Sequence, residues 1–323
     1  TQISNASYNP SAKCPRWLDY LDKVTDGNAD LMKYMQKAVG YSLTGITGEE
    51  CLFILYGTGR NGKGTFAETL IHLLGSYAKT AQVDSLMLKN VSGSGANPDI
   101  ARLKGARVVN AAEPQKNSRL NESLIKQLTG GDMVTARFLY GKEFEYRPEF
   151  KLWINTNYKP QISGNDEGIW SRVKLLPFTV YFPPEKRDPH LKDFLRDEEI
   201  DGILNWALEG LKLWQKEGLE MPETMKSATT DYRSEMDIMQ KFLDDCTKQN
   251  SNCSVGALAL YKVYTQWCIE NGEYVLSNTK FGRDMNRYLN KRNCRTGVVY
   301  LNIELTKPYE NAKHDFEETE FLK

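Results

Sequence analysis

The chain has 323 residues, of which 40% are hydrophobic and 26% charged, and its formal net charge is zero. That length and composition predict an ordinary globular protein of two domains, with room for a small third. They exclude an overall basic nucleic-acid binder, so any basic surface must be local, and the absence of an apolar run of about 18 residues excludes a helical membrane span. The six cysteines include no Cys-x-x-Cys pair and there are only three histidines, which speaks against zinc and for reduced thiols. No signal peptide opens the chain, and its polar start at Thr1 suggests a piece of something longer.

Residues 1–14 are polar and irregular. Between Pro15 and Leu43 the apolar spacing predicts two helices, one presenting Trp17, Leu18, Leu21 and Val24, the other Leu31, Tyr34, Met35, Ala38 and Val39, with Gly40 as its stop. After a loop over 45–50, Cys51–Tyr56 reads as a buried strand. It runs into Gly57, Thr58, Gly59, Arg60, Asn61, Gly62, Lys63, Gly64, Thr65 and Phe66, and then into an amphipathic helix. Strand, Gly-x-x-x-x-Gly-Lys and helix form a phosphate-binding loop in its confirming context. Glycines let backbone N–H groups turn inward, the helix N-terminus favours an anion, and Lys63 adds a point charge for the outer phosphates. Gly64 stands where a Ser or Thr commonly holds magnesium, so Thr65, one place later, is expected to supply that hydroxyl.

Gly75 is the expected stop of this helix, and 91–99 (VSGSGANPD) a glycine-rich connection. Arg107–Ala112 reads as a second core strand with Glu113 at its carboxyl end, where ligands of open α/β sheets sit. Glu113 is there to orient or deprotonate a water attacking a γ-phosphate. Leu120–Leu128 is an expected helix. Val134–Tyr140 and Glu143–Tyr146 flank Gly141–Lys142, a hairpin signal. Lys142 at its tip fits a phosphate-backbone contact as well as it fits an ordinary solvated edge lysine. Lys151–Thr156 is a third strand that ends in Asn155–Pro160, where a polar side chain can hold the attacking water or sense the γ-phosphate and an asparagine before proline is equally a common turn residue. A loop over 164–170 precedes a fourth strand at 171–178 with Arg172 at its start. The pattern is that of a parallel α/β sheet.

Pro183–Pro184 and a charged stretch mark a boundary. Helices are expected over 200–217 and from Thr224 to Lys248. The texture then changes: helices near Val255–Glu270 and Asn278–Lys291 precede an alternating strand over 297–305, the outline of a small winged-helix module. Six basic residues against one acidic fall between Lys280 and Arg295. Arg283 and Arg287, four apart on one helical face, suit a DNA-reading helix or a contact with a neighbouring protein equally well. The expected organisation is 1–49 helical, 50–182 the nucleotide-binding core, 183–232 helical, 233–307 winged-helix-like and 308–323 an acidic tail.

Several ordered stretches together resemble the superfamily 3 helicases of the AAA+ class, in particular the helicase part of the primase-helicases of poxviruses, phages and plasmids. They are GTGRNGKGTF (57–66), ARLKGARVVNAAEP (101–114), LIKQLTGGDMVTARFLYGKEFEYRP (124–148), KLWINTNYKP (151–160) and GIWSRVKLLPF (168–178). The resemblance implies an AAA+ phosphate-loop sheet with flanking helices and a winged-helix end. Lys63 would be the Walker A lysine, Glu113 the Walker B carboxylate and Asn157 the sensor. Arg172 would be an arginine finger reaching the ATP of a neighbouring subunit. Thr65 and Glu113 would hold Mg2+, and Lys142, with Lys126 and Arg137, would contact single-stranded DNA in the channel of a ring, expected to be a hexamer. An Asp often accompanies the Walker B Glu, yet Asn110 and Ala112 precede Glu113 here. No primase motif occurs, so a primase, if there is one at all, is expected upstream or on a separate protein. The expected setting is the cytoplasm of a bacterium or of a virus-infected cell. The competing readings are a nucleotide kinase and an origin-binding ATPase without unwinding activity.

Overall fold

A computed structural model describes residues 1–88, 98–116, 118–162, 167–295 and 297–306. Most of the expected connection at 91–99, the start of the loop at 164–170 and the tail at 308–323 lie outside these. The chain divides into two compact units, Thr1–Met236 and Asp237–Lys323. The segments 1–49, 50–182 and 183–232 therefore belong to one body.

In the first unit, α1 (Pro15–Val24) and α2 (Ala29–Ser42) precede β1 (Leu52–Tyr56) and α3 (Lys63–Leu74). There follow β2 (Ala78–Ala81), α4 (Pro98–Ala101), β3 (Val108–Ala112), α5 (Glu122–Thr129), the hairpin β4 (Val134–Arg137) and β5 (Glu143–Tyr146), and β6 (Lys151–Thr156). The unit closes with α6 (Glu167–Trp170), β7 (Val173–Pro177), α7 (Leu191–Asp197), α8 (Ile200–Glu217) and α9 (Glu223–Met236).

Five strands form one sheet in the order β2-β3-β6-β1-β7, and its pairings are parallel. Both faces are buried, as the near-continuous apolar strands require. Phe53, Leu55, Val108 and Trp153 face a core shared with Trp17, Tyr34, Phe66 and Trp206. Leu52, Ile54, Val109, Leu152 and Ile154 face the opposite core, with Ile125, Trp170 and Tyr232. Each such large side chain contributes roughly 1.5–3 kcal/mol by leaving water. The edge strand β2 is short and carries too few apolar residues to announce itself in the sequence.

Gly40 does not end α2, which runs on to Ser42. A Cβ at Gly40 would come within 2.1 Å of the Leu211 nitrogen, and one at Gly210 within 2.0 Å of the Gln36 carbonyl. The two glycines let α2 and α8 touch backbone to backbone, a use of glycine that has no local signature.

The hairpin also differs from expectation. β4 stops at Arg137, paired with Glu143, so the connection spans 138–142 rather than Gly141–Lys142 alone. Gly141 N–H donates to the Phe138 carbonyl at 2.9 Å, Tyr140 takes left-handed backbone at φ 60°, and Phe138 stacks on Phe144 with ring centroids 5.6 Å apart.

The second unit contains α10 (Ile238–Cys246), β8 (Thr247–Gly256), α11 (Ala257–Asn271), α12 (Asn278–Met285), β9 (Lys291–Cys294) and β10 (Gly297–Leu305). Its sheet has the order β8-β10-β9, and Phe242, Tyr264, Phe281 and Tyr300 centre its core. The single helix expected over Thr224–Lys248 is two, because the Asp237 carboxylate accepts from Gln240 N–H and starts a new one. The polar strand β8 exists through its pairing with β10. The helix expected over Asn278–Lys291 ends at Met285. Arg287 therefore does not continue the helical face of Arg283, and its N–H closes a turn on the Asp284 carbonyl at 3.1 Å.

Candidate functional site

Three strand ends meet at one edge of the five-stranded sheet. β6 lies between β1 and β3, in register Tyr56↔Thr156 and Ala112↔Asn155. The residues that follow these strands, Gly57, Asn157 and Glu113, are therefore neighbours at the carboxyl edge.

The glycine-rich loop leaves β1 and is pinned on two sides. Asn61 Nδ2 donates to the Phe178 carbonyl just beyond β7 at 2.9 Å. Tyr20 Oη on α1 donates to the Gly62 carbonyl at 2.9 Å. Gly62 is left-handed at φ 92°, and a Cβ there would lie 2.6 Å from Val24 Cγ1, so only glycine lets α1 close on the loop. Arg60 is left-handed as well, at φ 53°.

Lys63 opens α3 and is only 5% exposed. Its Nζ donates to the Gly57 carbonyl at 2.6 Å, to Asn61 Oδ1 at 3.1 Å and to Asn157 Oδ1 at 3.0 Å. Burial lowers its pKa, and the nearby negative charge of Glu113 works in the opposite direction. All three acceptors are neutral oxygens, so among the described residues the buried ammonium is held without a contacting anion. Glu113 is exposed. It takes left-handed backbone at φ 54°, a conformation that costs a non-glycine residue free energy, and its N–H donates to the Asn155 carbonyl at 2.8 Å. Three residues earlier, within β3, Asn110 is 8% exposed and its Oδ1 has no hydrogen-bond partner among the described residues.

Thr65 and Gly64 are half-buried in the first turn of α3, and Thr58 is exposed in the loop. Phe66, expected beside a ligand, is a core residue: its ring lies between Trp17 and Trp153, 5.7 Å from each centroid, and its N–H is engaged with the Gly62 carbonyl.

Arg172 is not brought to Lys63. It precedes β7, whose Val173 pairs with Leu52 at the start of β1, so it stands at the opposite edge of the sheet. Its guanidinium donates to Thr129 Oγ1 at 3.2 Å, to the Gly168 carbonyl at 2.6 Å and to the Glu50 carboxylate. Lys142 is exposed in the hairpin connection, and Arg137 at the end of β4 lies 4.0 Å from Glu143. Lys126 sits on α5, a separate element. Sequence reasoning missed Tyr20, Phe178 and Glu50, which act from distant positions and carry no local signal. Among the described residues no cluster of three or more His, Cys, Asp or Glu could cage a metal, and no helix is long and apolar enough to cross a membrane.

Residues 55–172 match a family of unknown function, DUF5906, and residues 234–322 match the poxvirus D5 protein-like family. The chain is 28% identical over 281 residues to the putative helicase L207/L206 of Acanthamoeba polyphaga mimivirus, covering 81% of this chain and 29% of that protein. It is 29% identical over 238 residues to the putative helicase 022R of frog virus 3, covering 68% and 24% respectively. With the primase D5 of fowlpox virus it shares 28% identity over 194 residues, 57% of this chain and 24% of that one. The chain thus spans less than a third of the length of these relatives. In fold it is similar to the C-terminal region of NrS-1, with a TM-score of 0.60 and 14% identity over 94% of this chain and 79% of the other.

Proposed function

We propose that this chain is the ATP-driven motor module of a replicative DNA helicase of the kind encoded by large DNA viruses, phages and mobile elements. The relatives named as helicases and primases support an enzyme acting on nucleic acid. The observation that carries the ATP reading is the buried Lys63 ammonium, held by three neutral oxygens at the mouth of a glycine-rich loop with Glu113 beside it. Such an ammonium is incomplete without an anion, and a phosphate at a helix N-terminus supplies one.

In this reading the N–H groups of Thr58, Gly59, Arg60, Asn61 and Gly62 line the phosphates and Lys63 binds the outermost. The side chains fit a magnesium ion held as Mg2+ commonly is, by one or two protein oxygens and the substrate phosphates rather than by a full cage. Thr65 and Glu113 would hold it, and when bound it neutralises phosphate charge. Glu113 orients and deprotonates the attacking water, and Asn157 fixes the γ-phosphate end. Arg172, at the far edge of its own sheet, acts on the site of a neighbouring protomer, which requires a ring, for which we take a hexamer. Lys142, with Arg137 and Lys126, contacts single-stranded DNA in the channel, where salt-sensitive and sequence-tolerant binding suffices. The second unit is a winged-helix-like module, and any primase that works with this chain lies upstream or on a separate protein.

The test is ATP hydrolysis per protomer against protein concentration, with and without single-stranded DNA. The expected rate climbs with concentration and rises with DNA. A flat, DNA-indifferent rate together with phosphotransfer to AMP would replace this reading by a nucleotide kinase.

A further inference from the structure

Every nitrogen of the Arg172 guanidinium is engaged within its own protomer. Nε donates to Thr129 Oγ1 at 3.2 Å, Nη1 to the Gly168 carbonyl at 2.6 Å and Nη2 to the Glu50 carboxylate. The Arg172 side chain is 16% exposed and that of Glu50 49%. We propose that Glu50 is a brake: its carboxylate keeps Arg172 stowed against its own protomer, and the γ-phosphate of ATP in a neighbouring protomer has to displace it. The inference rests on the function proposed above, in which Arg172 acts on that neighbour's site.

A guanidinium grips a phosphate with two N–H groups of its planar fork. Both terminal nitrogens of Arg172 are taken, one by a neutral carbonyl and one by a full negative charge. A hydrogen bond to a charged acceptor is roughly twice as strong as one to a neutral acceptor, so Glu50 dominates the clasp. Arg172 cannot offer its fork to a second anion until Glu50 lets go. The exchange leaves no bare charge behind: Arg172 takes the phosphate, and Glu50, already half in water, completes its hydration. A ligand shifts such an equilibrium only by binding one state better than the other, and the phosphate binds only the released Arg172.

The parts that hold Arg172 are themselves fixed. Glu50 takes left-handed backbone at φ 45°, which costs a non-glycine residue free energy, and its N–H closes a turn on the Thr47 carbonyl at 2.9 Å. Three contacts tie down the loop that carries it. The buried Lys151 donates to the Thr44 and Ile46 carbonyls, Trp214 Nε1 donates to the Glu49 carboxylate at 2.6 Å, and Glu49 N–H donates to Tyr41 Oη at 3.3 Å. On the other side Thr129, at the end of α5, is 3% exposed, and its hydroxyl donates to the Ile125 carbonyl at 2.7 Å. With both supports anchored, the moving part is the long Arg172 side chain. Its Nε rests on a neutral hydroxyl, so the charge of Glu50 is the restraint that a single substitution removes.

The experiment uses the whole chain as wild type, Glu50→Gln and Arg172→Ala. Glu50→Gln keeps the shape of an exposed side chain and removes its charge. One readout is the rate at which phenylglyoxal modifies Arg172 without nucleotide, followed by peptide mass spectrometry. The other is ATP hydrolysis per protomer against protein concentration. In Glu50→Gln, Arg172 is expected to be modified about fivefold faster, with the other arginines unchanged, and hydrolysis below saturating protein concentration to rise about fivefold. Unchanged modification of Arg172, or faster modification with hydrolysis unchanged at every concentration, would overturn the brake and leave the motor reading standing. Slower hydrolysis at every concentration would also overturn it, since Glu50 would then aim Arg172 while it works. A wild type that does not hydrolyse ATP, or Arg172→Ala with the full wild-type rate, would sink the role given to Arg172 and this inference with it.

Discussion

Lys63 Nζ and Asn157 Oδ1 lie 3.0 Å apart, joining residues 94 positions apart in sequence. The first residue of α3 is thereby tied to the residue after β6, and the Asn side chain holds the ammonium at the sheet edge. Lys63→Ala is expected to reduce ATP hydrolysis by at least about 100-fold. Asn157→Ala is expected to slow hydrolysis more than it weakens ATP binding. Asn157→Asp places a negative charge against Lys63 and opposes the incoming phosphates, so ATP affinity falls, by about tenfold. Tighter ATP binding by Asn157→Asp, measured by calorimetry, would contradict a phosphate beside Lys63.

Arg172 and Lys63 occupy opposite edges of the sheet, so a catalytic Arg172 must act on another protomer. Arg172→Ala is expected to bind ATP normally and to hydrolyse it on the order of 1,000-fold more slowly. Mixing it with Glu113→Gln, which keeps Arg172 but lacks the carboxylate, restores part of the rate at mixed interfaces. No recovery over a range of mixing ratios would count against a shared site. The variant also loses the bonds to Thr129, Gly168 and Glu50, so its melting temperature should fall by a few degrees, which a scanning measurement separates from the catalytic loss.

The hairpin connection presents Lys142 to solvent next to Tyr140, which is 98% exposed. Lys142→Ala is expected to lose unwinding and the DNA stimulation of hydrolysis, and to reduce the salt dependence of single-strand binding by about 0.7 in log-log slope for each phosphate contact removed. Normal strand displacement by this variant would take the hairpin out of the mechanism.

Lys151 is 1% exposed and donates to the Thr44 and Ile46 carbonyls. Burial, with the nearby Arg107 charge, lowers its pKa to about 7 from an ordinary 10.5. Between these values the unfolded chain holds a proton that the folded chain has released, so stability rises with pH across that window and is flat below it. Urea unfolding at about pH 7 and about pH 9 is expected to show roughly 2 kcal/mol more gain for the wild type than for Lys151→Met. Parallel pH dependence in the two proteins would mean that Lys151 stays charged in the fold.

Where expectation and structure part, the cause is packing. Gly40 reads as a helix stop because glycine is a poor helix former, yet α8 needs its bare Cα for close approach. Phe66 adjoins the loop in sequence, but the turn of α3 carries its ring into the core. Arg287 has helical spacing from Arg283, but the helix ends between them.

By itself the sequence determined the glycine-rich loop between strand and helix, Lys63 at its end, the carboxylate Glu113 at a strand exit, and the parallel α/β character of the core. These depend on spacing within a few residues, on the φ freedom of glycine and on apolar runs long enough to bury. The tertiary structure alone decided that β6 lies between β1 and β3, which brings Asn157 to Lys63. It also sent Arg172 to the far edge, against Glu50. Those relationships arise from pairing and packing between segments tens to hundreds of residues apart, and no local pattern encodes which strand will lie beside which.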